Sequence, residues 1–133
     1  GSNIVYQGEA GLGQHAKMAN QIALSGIIAS LCESIIYAQS VGLDVQTMLK
    51  AISGGAAGSW QMANMAPRII QGDYKPGFYI KHFIKDMEIA KEESQAANLD
   101  LCILKDVLKL YKNLDENNMG NLGTQALIKY YEK

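Results

Sequence analysis

Within five residues, Lys17-x-x-Asn20-Gln21 brings together an amine and two carboxamides. On a helix, at about 100° per residue, Asn20 lies about 60° to one side of Lys17 and Gln21 about 40° to the other, so all three project from one sector. Continuing that sector gives Leu24, Ile28, Leu31 and Ile35. The face starts polar and turns wholly apolar. Either its polar end overhangs a bundle into water, or it forms one wall of a polar pocket at the bundle's end. A lysine near a helix N-terminus is opposed by the macrodipole, which makes the place a poor one for a purely structural cation. It is a useful one for an acid/base, because an ordinary lysine, at a pKa of about 10.4, has to be brought towards neutrality to work.

Lys85-Asp86 is a second candidate, reached through Phe78-Tyr79-Ile80-Lys81-His82-Phe83. If the helix there starts near Phe83, two lysines at two helix starts could converge on one anionic ligand. An i, i+3 surface pair of Lys85 with Glu88 is the equally good plain alternative. Gly11-Leu12-Gly13-Gln14-His15-Ala16 fits the dinucleotide pattern G-x-G-x-x-A. The context speaks against a pyrophosphate cradle, since no second strand with an acidic end follows within about 30 residues. The glycines, Gly13 among them, then serve to start the helix sharply and to let a ligand or neighbouring backbone come close. His15 and His82 have no carboxylate or second histidine at ligand spacing, so no metal site is expected. Cys32 and Cys102 stand in apolar stretches and read as small buried hydrophobes in a reducing compartment, the cytoplasm, with a single disulfide as the alternative. Trp60 reads as an anchor for the glycine-rich loop before it, and the six methionines as core filler.

These groups need elements to hold them. From Gly13 to Val41 only Gly26 interrupts helix-forming sequence, Gly42 stands where a left-handed cap would, and Asp44 can cap a helix over Val45 to Ile52. The first helix would be about 45 Å long, the spine of the domain. Ser59 can cap a short helix that ends at Pro67. Further helices are expected from about Phe83 to Ala97, from Leu101 to Leu114 with Ile103, Val107, Leu110 and Leu114 facing inward, and from Gly123 to Tyr131. The short run Ile4 to Tyr6 is too isolated to build a sheet. The fold class is therefore all-α, an irregular helical bundle around one long N-terminal helix.

The chain has 133 residues, one domain's worth, with 48% hydrophobic and 19% charged residues. Twelve basic against thirteen acidic residues give a net charge of −1, which excludes the long-range field of a nucleic-acid binder. The 15 uncharged residues from Met18 to Cys32 fall short of the roughly 20 that a membrane span needs. Gly1-Ser2 reads as a cleavage scar from expression. Residues 1–10 are then scar and interdomain lead-in, residues 11–133 the domain, and the natural chain is expected to be longer.

Four spaced motifs carry a resemblance over nearly the whole chain: Gly11-x-Gly13-Gln14-x-x-Lys17-x-x-Asn20-Gln21; Gly42-Leu43-Asp44; Ser53-Gly54-Gly55-Ala56-Ala57-Gly58-Ser59-Trp60; and Gly77-Phe78 with Lys85-Asp86-x-x-x-Ala90. Together they resemble the C-terminal domain of the β-hydroxyacid dehydrogenases, which include 3-hydroxyisobutyrate dehydrogenase, tartronate semialdehyde reductase and, more distantly, 6-phosphogluconate dehydrogenase. The resemblance implies an N-terminal Rossmann domain, absent from these 133 residues, that binds NAD or NADP, with the active site in the cleft between the two domains. It implies that Lys17 is the acid/base acting on a small hydroxyacid substrate, that Gln21 orients that substrate with Asn20 and Gly13 beside it, and that Lys85 lies by the nicotinamide. A homodimer or homotetramer is implied as well. The 133-residue chain alone is then expected to be inactive. A non-catalytic helical dimerisation module on the same fold is the alternative from another class.

Overall fold

The computed structural model describes residues 11–132. The Ile4 to Tyr6 run and the lead-in over residues 1–10 lie outside the described residues. Helix α1 (Leu12–Ser40) has 29 residues, about 44 Å at 1.5 Å per residue. It starts one residue before Gly13, so that glycine lies inside its first turn, while Gly11 precedes it at a φ of 97°. Gly42 takes the left-handed conformation expected of it (φ 84°). Asp44 caps α2 (Val45–Ile52) by accepting from the Thr47 N–H at 3.0 Å. That hydrogen bond and a second from the Thr47 hydroxyl hold the Asp44 carboxyl below its ordinary pKa.

Ser59 caps α3 (Trp60–Asn64) by accepting from the Met62 N–H at 3.0 Å. Pro67 does not end the helical region there. It stands in the first turn of α4 (Ala66–Gln71), where a missing N–H costs no helical hydrogen bond. Helix α5 (Ile80–Ala96) begins three residues earlier than expected. As a result Lys85, like Lys17 in α1, is the sixth residue of its helix. Both stand beyond the first turn in which the terminal partial charges act, so the macrodipole is not what distinguishes them.

Helix α6 (Cys102–Glu116) buries Leu104, Val107, Leu108, Tyr111 and Leu114. Its inward face is rotated from the expected one: Ile103 is 64% exposed and Leu110 only half-buried, because Tyr111 takes the central place. The Tyr111 ring packs edge-on against Phe83 at 5.2 Å between centroids, and its hydroxyl donates to the Thr124 carbonyl at 2.8 Å. A 3-10 turn (Thr124–Leu127) and α7 (Ile128–Tyr131) replace the single last helix.

Helix α1 packs against α5, α6, α7 and the 3-10 turn, with α2 and α3 on its flank. Among the described residues there is no strand, and the one isolated bridge joins Tyr79 to Gly123. The fold is all-α around a long first helix, as expected. By length and composition α1 could cross a membrane, but nine of its residues are buried inside this fold, as in a core helix. Cys32 is buried and free, and burial pushes its thiol up to about 12. Cys102, expected inside, is exposed, because the first turn of α6 lies at the surface.

Candidate active-site pocket

The polar sector of α1 does form a pocket wall. Lys17, Asn20, Gln21 and Leu24 line a pocket of about 430 Å³ that is closed by Trp60, Gln61 and Met65, by Gly77 and Phe78, by Asp86 of α5, and by Thr124 and Gln125. The sector then sinks as predicted: Lys17 and Asn20 are exposed, Leu24 is half-buried, and Ile28, Leu31 and Ile35 are in the core.

A short chain of hydrogen bonds orients the amides. Asn20 Nδ2 donates to Gln21 Oε1 at 3.0 Å, and Gln21 Nε2 donates to Asp86 Oδ2 at 3.0 Å. An ionised carboxylate only accepts, so Asp86 forces the NH₂ end of Gln21 towards α5 and its carbonyl towards Asn20. Gln21 is 7% exposed, and its amide is therefore held in one orientation. The Asn20 carbonyl oxygen and the Lys17 amine remain for a ligand. Among the described residues Lys17 has no ion-pair partner.

The loop that carries Gly77 and Phe78 is held from two sides. Gln125, 1% exposed, donates through Nε2 to the carbonyls of Asp73 and Lys75 at 3.0 and 2.9 Å. Arg68 donates to the Asp73 carboxylate at 3.2 Å and to the Lys75 carbonyl at 2.6 Å. The Arg68 hydrogen bond, with that of the Lys75 N–H, holds the Asp73 carboxyl below its ordinary pKa. Phe78 packs edge-on against Phe83, 5.7 Å between centroids, which joins the pocket floor to the core. Across the pocket, Gly58 lets the glycine-rich loop turn tightly before Ser59: a Cβ there would lie 2.1 Å from the Ser53 carbonyl oxygen.

Two sequence candidates fall outside this wall. Lys85 is exposed on α5 and does not line the pocket, whereas its neighbour Asp86 does. The two lysines therefore do not converge in it. The alternative pair of Lys85 with Glu88 is not formed either, since Glu88 pairs with Lys112 of α6. Gly13 is exposed and also outside the pocket lining. Trp60, expected to anchor its loop, is 65% exposed at the pocket rim.

Sequence reasoning named Asp86 only as the neighbour of Lys85 in the second candidate, with no role of its own, and missed Gln61 and Gln125. A signal for Asp86 existed: it is three residues after the buried Phe83 and next to the buried Met87, the inward side of a helix that starts at Ile80. Gln61 is buried in the pocket wall, 7% exposed, and its Oε1 has no hydrogen-bond partner. Such an orphan acceptor costs about 1–3 kcal/mol of lost solvation. Among the described residues no cluster of metal ligands occurs.

Comparison with known proteins identifies the family of the chain. A family described as "NAD-binding of NADP-dependent 3-hydroxyisobutyrate dehydrogenase" matches residues 11–131. An uncharacterized oxidoreductase of Bacillus subtilis (strain 168) is 47% identical over the whole chain, which covers 46% of that protein. A probable mitochondrial 3-hydroxyisobutyrate dehydrogenase-like protein of Arabidopsis thaliana is 44% identical over 98% of the chain and 39% of its own length. Among solved structures, 3-hydroxyisobutyrate dehydrogenase from Salmonella typhimurium superposes with a TM-score of 0.82 at 25% identity, over 90% of this chain and 42% of that one. The Mycobacterium tuberculosis 3-hydroxyisobutyrate dehydrogenase, solved with L-serine, shares the fold at a TM-score of 0.90 and 23% identity, over 98% of this chain and 47% of that one. The chain thus spans about half the length of the relatives it matches. With its four motifs in order and a family match over nearly all of it, this chain belongs to the 3-hydroxyisobutyrate dehydrogenase family.

Proposed function

We propose that this chain is the helical, substrate-binding half of an NAD- or NADP-dependent oxidoreductase that interconverts a small 3-hydroxyacid and its semialdehyde or ketone. The observation that carries the reading is the pocket wall, in which Lys17 stands beside Asn20 and the Asp86-oriented Gln21. The described residues do not build a dinucleotide unit, because the glycines open a continuous helix of 29 residues and no strand follows among the described residues. The nucleotide would rest on an N-terminal Rossmann domain preceding residues 11–133. Lys85, exposed one residue from the pocket-lining Asp86, would meet it across the cleft, with Gly13 at the cleft's edge. When bound there, the nicotinamide supplies the hydride acceptor or donor.

Lys17 does the proton chemistry. In the oxidative direction its neutral Nζ takes the proton from the substrate hydroxyl as the carbonyl forms, and in the reductive direction its ammonium returns a proton to that oxygen. Asn20 offers its carbonyl oxygen and second N–H to the substrate, and Gln21 holds Asn20 in register. Leu24, Met65 and Phe78 line the same pocket and limit water at the reacting carbon. A homodimer or homotetramer fits the same reading.

The test is a screen of small 3-hydroxyacids with NAD and NADP on the longer protein encoded by the natural reading frame. We expect turnover of at least one acid there, and none by the 133-residue chain alone. No turnover by the longer protein overturns the proposed activity. Substantial turnover by the chain alone overturns the division of the active site between two domains.

A further inference from the structure

Resting on that reading, we infer that Gln61 selects 3-hydroxyacids that carry a hydrogen-bond donor, a hydroxyl or an ammonium, on the carbon next to the reacting one. Gln61 is the second residue of α3, lines the same pocket as Lys17, and is buried to 7% exposure. Its Oε1 is without a partner. Buried carbonyl oxygens are otherwise satisfied in folded proteins, and one that is not, in the wall of a ligand pocket, is suited to accept from the ligand. The terminal torsion of a glutamine side chain is broad, so the amide turns towards an arriving donor at little cost.

The rest of the wall divides the work. Gln21 Oε1 already accepts from Asn20, Asp86 accepts from Gln21, and the Lys17 amine only donates when charged. With Lys17 at the reacting oxygen, a donor on the adjacent carbon finds Gln61 Oε1 as the unused buried acceptor in the wall. A methyl group in the same place would leave that oxygen unpaired, as it is in the free protein, so only the donor-bearing acid gains the hydrogen bond that satisfies it.

The experiment compares glycerate, serine and 3-hydroxyisobutyrate, which share the 3-hydroxyacid skeleton and carry a hydroxyl, an ammonium and a methyl at that carbon. In the longer protein with its cofactor, kcat/KM for the better of the two donor-bearing acids should exceed that for 3-hydroxyisobutyrate by about 10-fold or more. Gln61→Met, close in shape but with no acceptor, should bring the ratio towards one without lowering the thermal midpoint of the ligand-free protein. Gln61→Glu, which keeps an acceptor, should preserve the preference. The relative sizes for glycerate and serine tell a hydroxyl-reading site from an ammonium-reading one. Turnover with no donor preference in the wild type, or an unchanged ratio in Gln61→Met, overturns this assignment and leaves the proposed activity standing. Absence of turnover on all 3-hydroxyacids defeats the proposed activity instead. Calorimetric binding of the same acids then decides Gln61 independently, and equal affinities for donor-bearing and methyl-bearing acids overturn it.

Discussion

The two ends of α1 are built on opposite plans. From Ile28 to Ala38 its inward residues are buried and apolar apart from the Cys32 thiol, whereas from Lys17 to Gln21 the continuing sector is polar and opens into a pocket. In the core, polar groups are closed off internally, as in the Tyr111 hydroxyl that donates to the Thr124 carbonyl. At the pocket end, one acceptor is left without a partner and an amine stands without a counter-ion among the described residues. One helix thus holds the core with some turns and, in the proposed function, serves chemistry with others. The difference puts the spine's length to use: its lower turns hold the bundle and its upper turns line the pocket.

The largest effect should come from the core. Phe83 is fully buried between the rings of Tyr111 and Phe78, so Phe83→Ala should cost about 3–5 kcal/mol in chemical denaturation. A loss below 1 kcal/mol would show that the core is less tightly packed than its geometry implies.

Next comes the pocket end, where the comparison predicts the reverse pattern. Lys17 is exposed and outside the core, so Lys17→Ala in the longer protein should leave the unfolding midpoint nearly unchanged while lowering kcat by about 100-fold or more. Near-normal kcat in that variant would return Lys17 to the solvated surface.

The smallest effect separates the two cysteines. Cys32, with burial raising its thiol to about 12, should resist alkylation at neutral pH in the folded chain, while exposed Cys102 should be modified within the same assay. The sign of the linked stability follows from the raised value. The folded state holds the Cys32 proton more tightly than the unfolded chain, whose thiol titrates near 9.0. This contribution is therefore fully present below pH 9 and is lost as pH rises towards 12. Equal labelling of both thiols, followed by mass spectrometry of the peptides, would contradict the packing around Cys32.

Much of this organisation was legible in the chain. The spine helix, the Gly42 turn, the Asp44 and Ser59 caps and the shared sector of Lys17, Asn20 and Gln21 all follow from local rules of period and capping, and the structure has each of them. What misled was also local. The expected start of α5 was near Phe83, but the turn after Pro76 lets Ile80 and Phe83 both enter the core, and the helix begins at Ile80. In α6 the aliphatic residues Ile103 and Leu110 competed with Leu104 and Tyr111 for the inward face. The edge-on contact of Tyr111 with Phe83 and its hydrogen bond to Thr124 decided which face won.

The sequence by itself therefore determined the all-α class, the long helix and the group of one amine and two amides on its upper sector, because each depends on neighbours within a few residues. Only the tertiary structure decided that Asp86, and not Lys85, meets that group, and that Gln61 is buried beside it with an unused acceptor. Those facts depend on how α3 and α5 are rotated against α1. That rotation is set by packing between residues such as Gln21 and Asp86, which stand 65 positions apart in the chain.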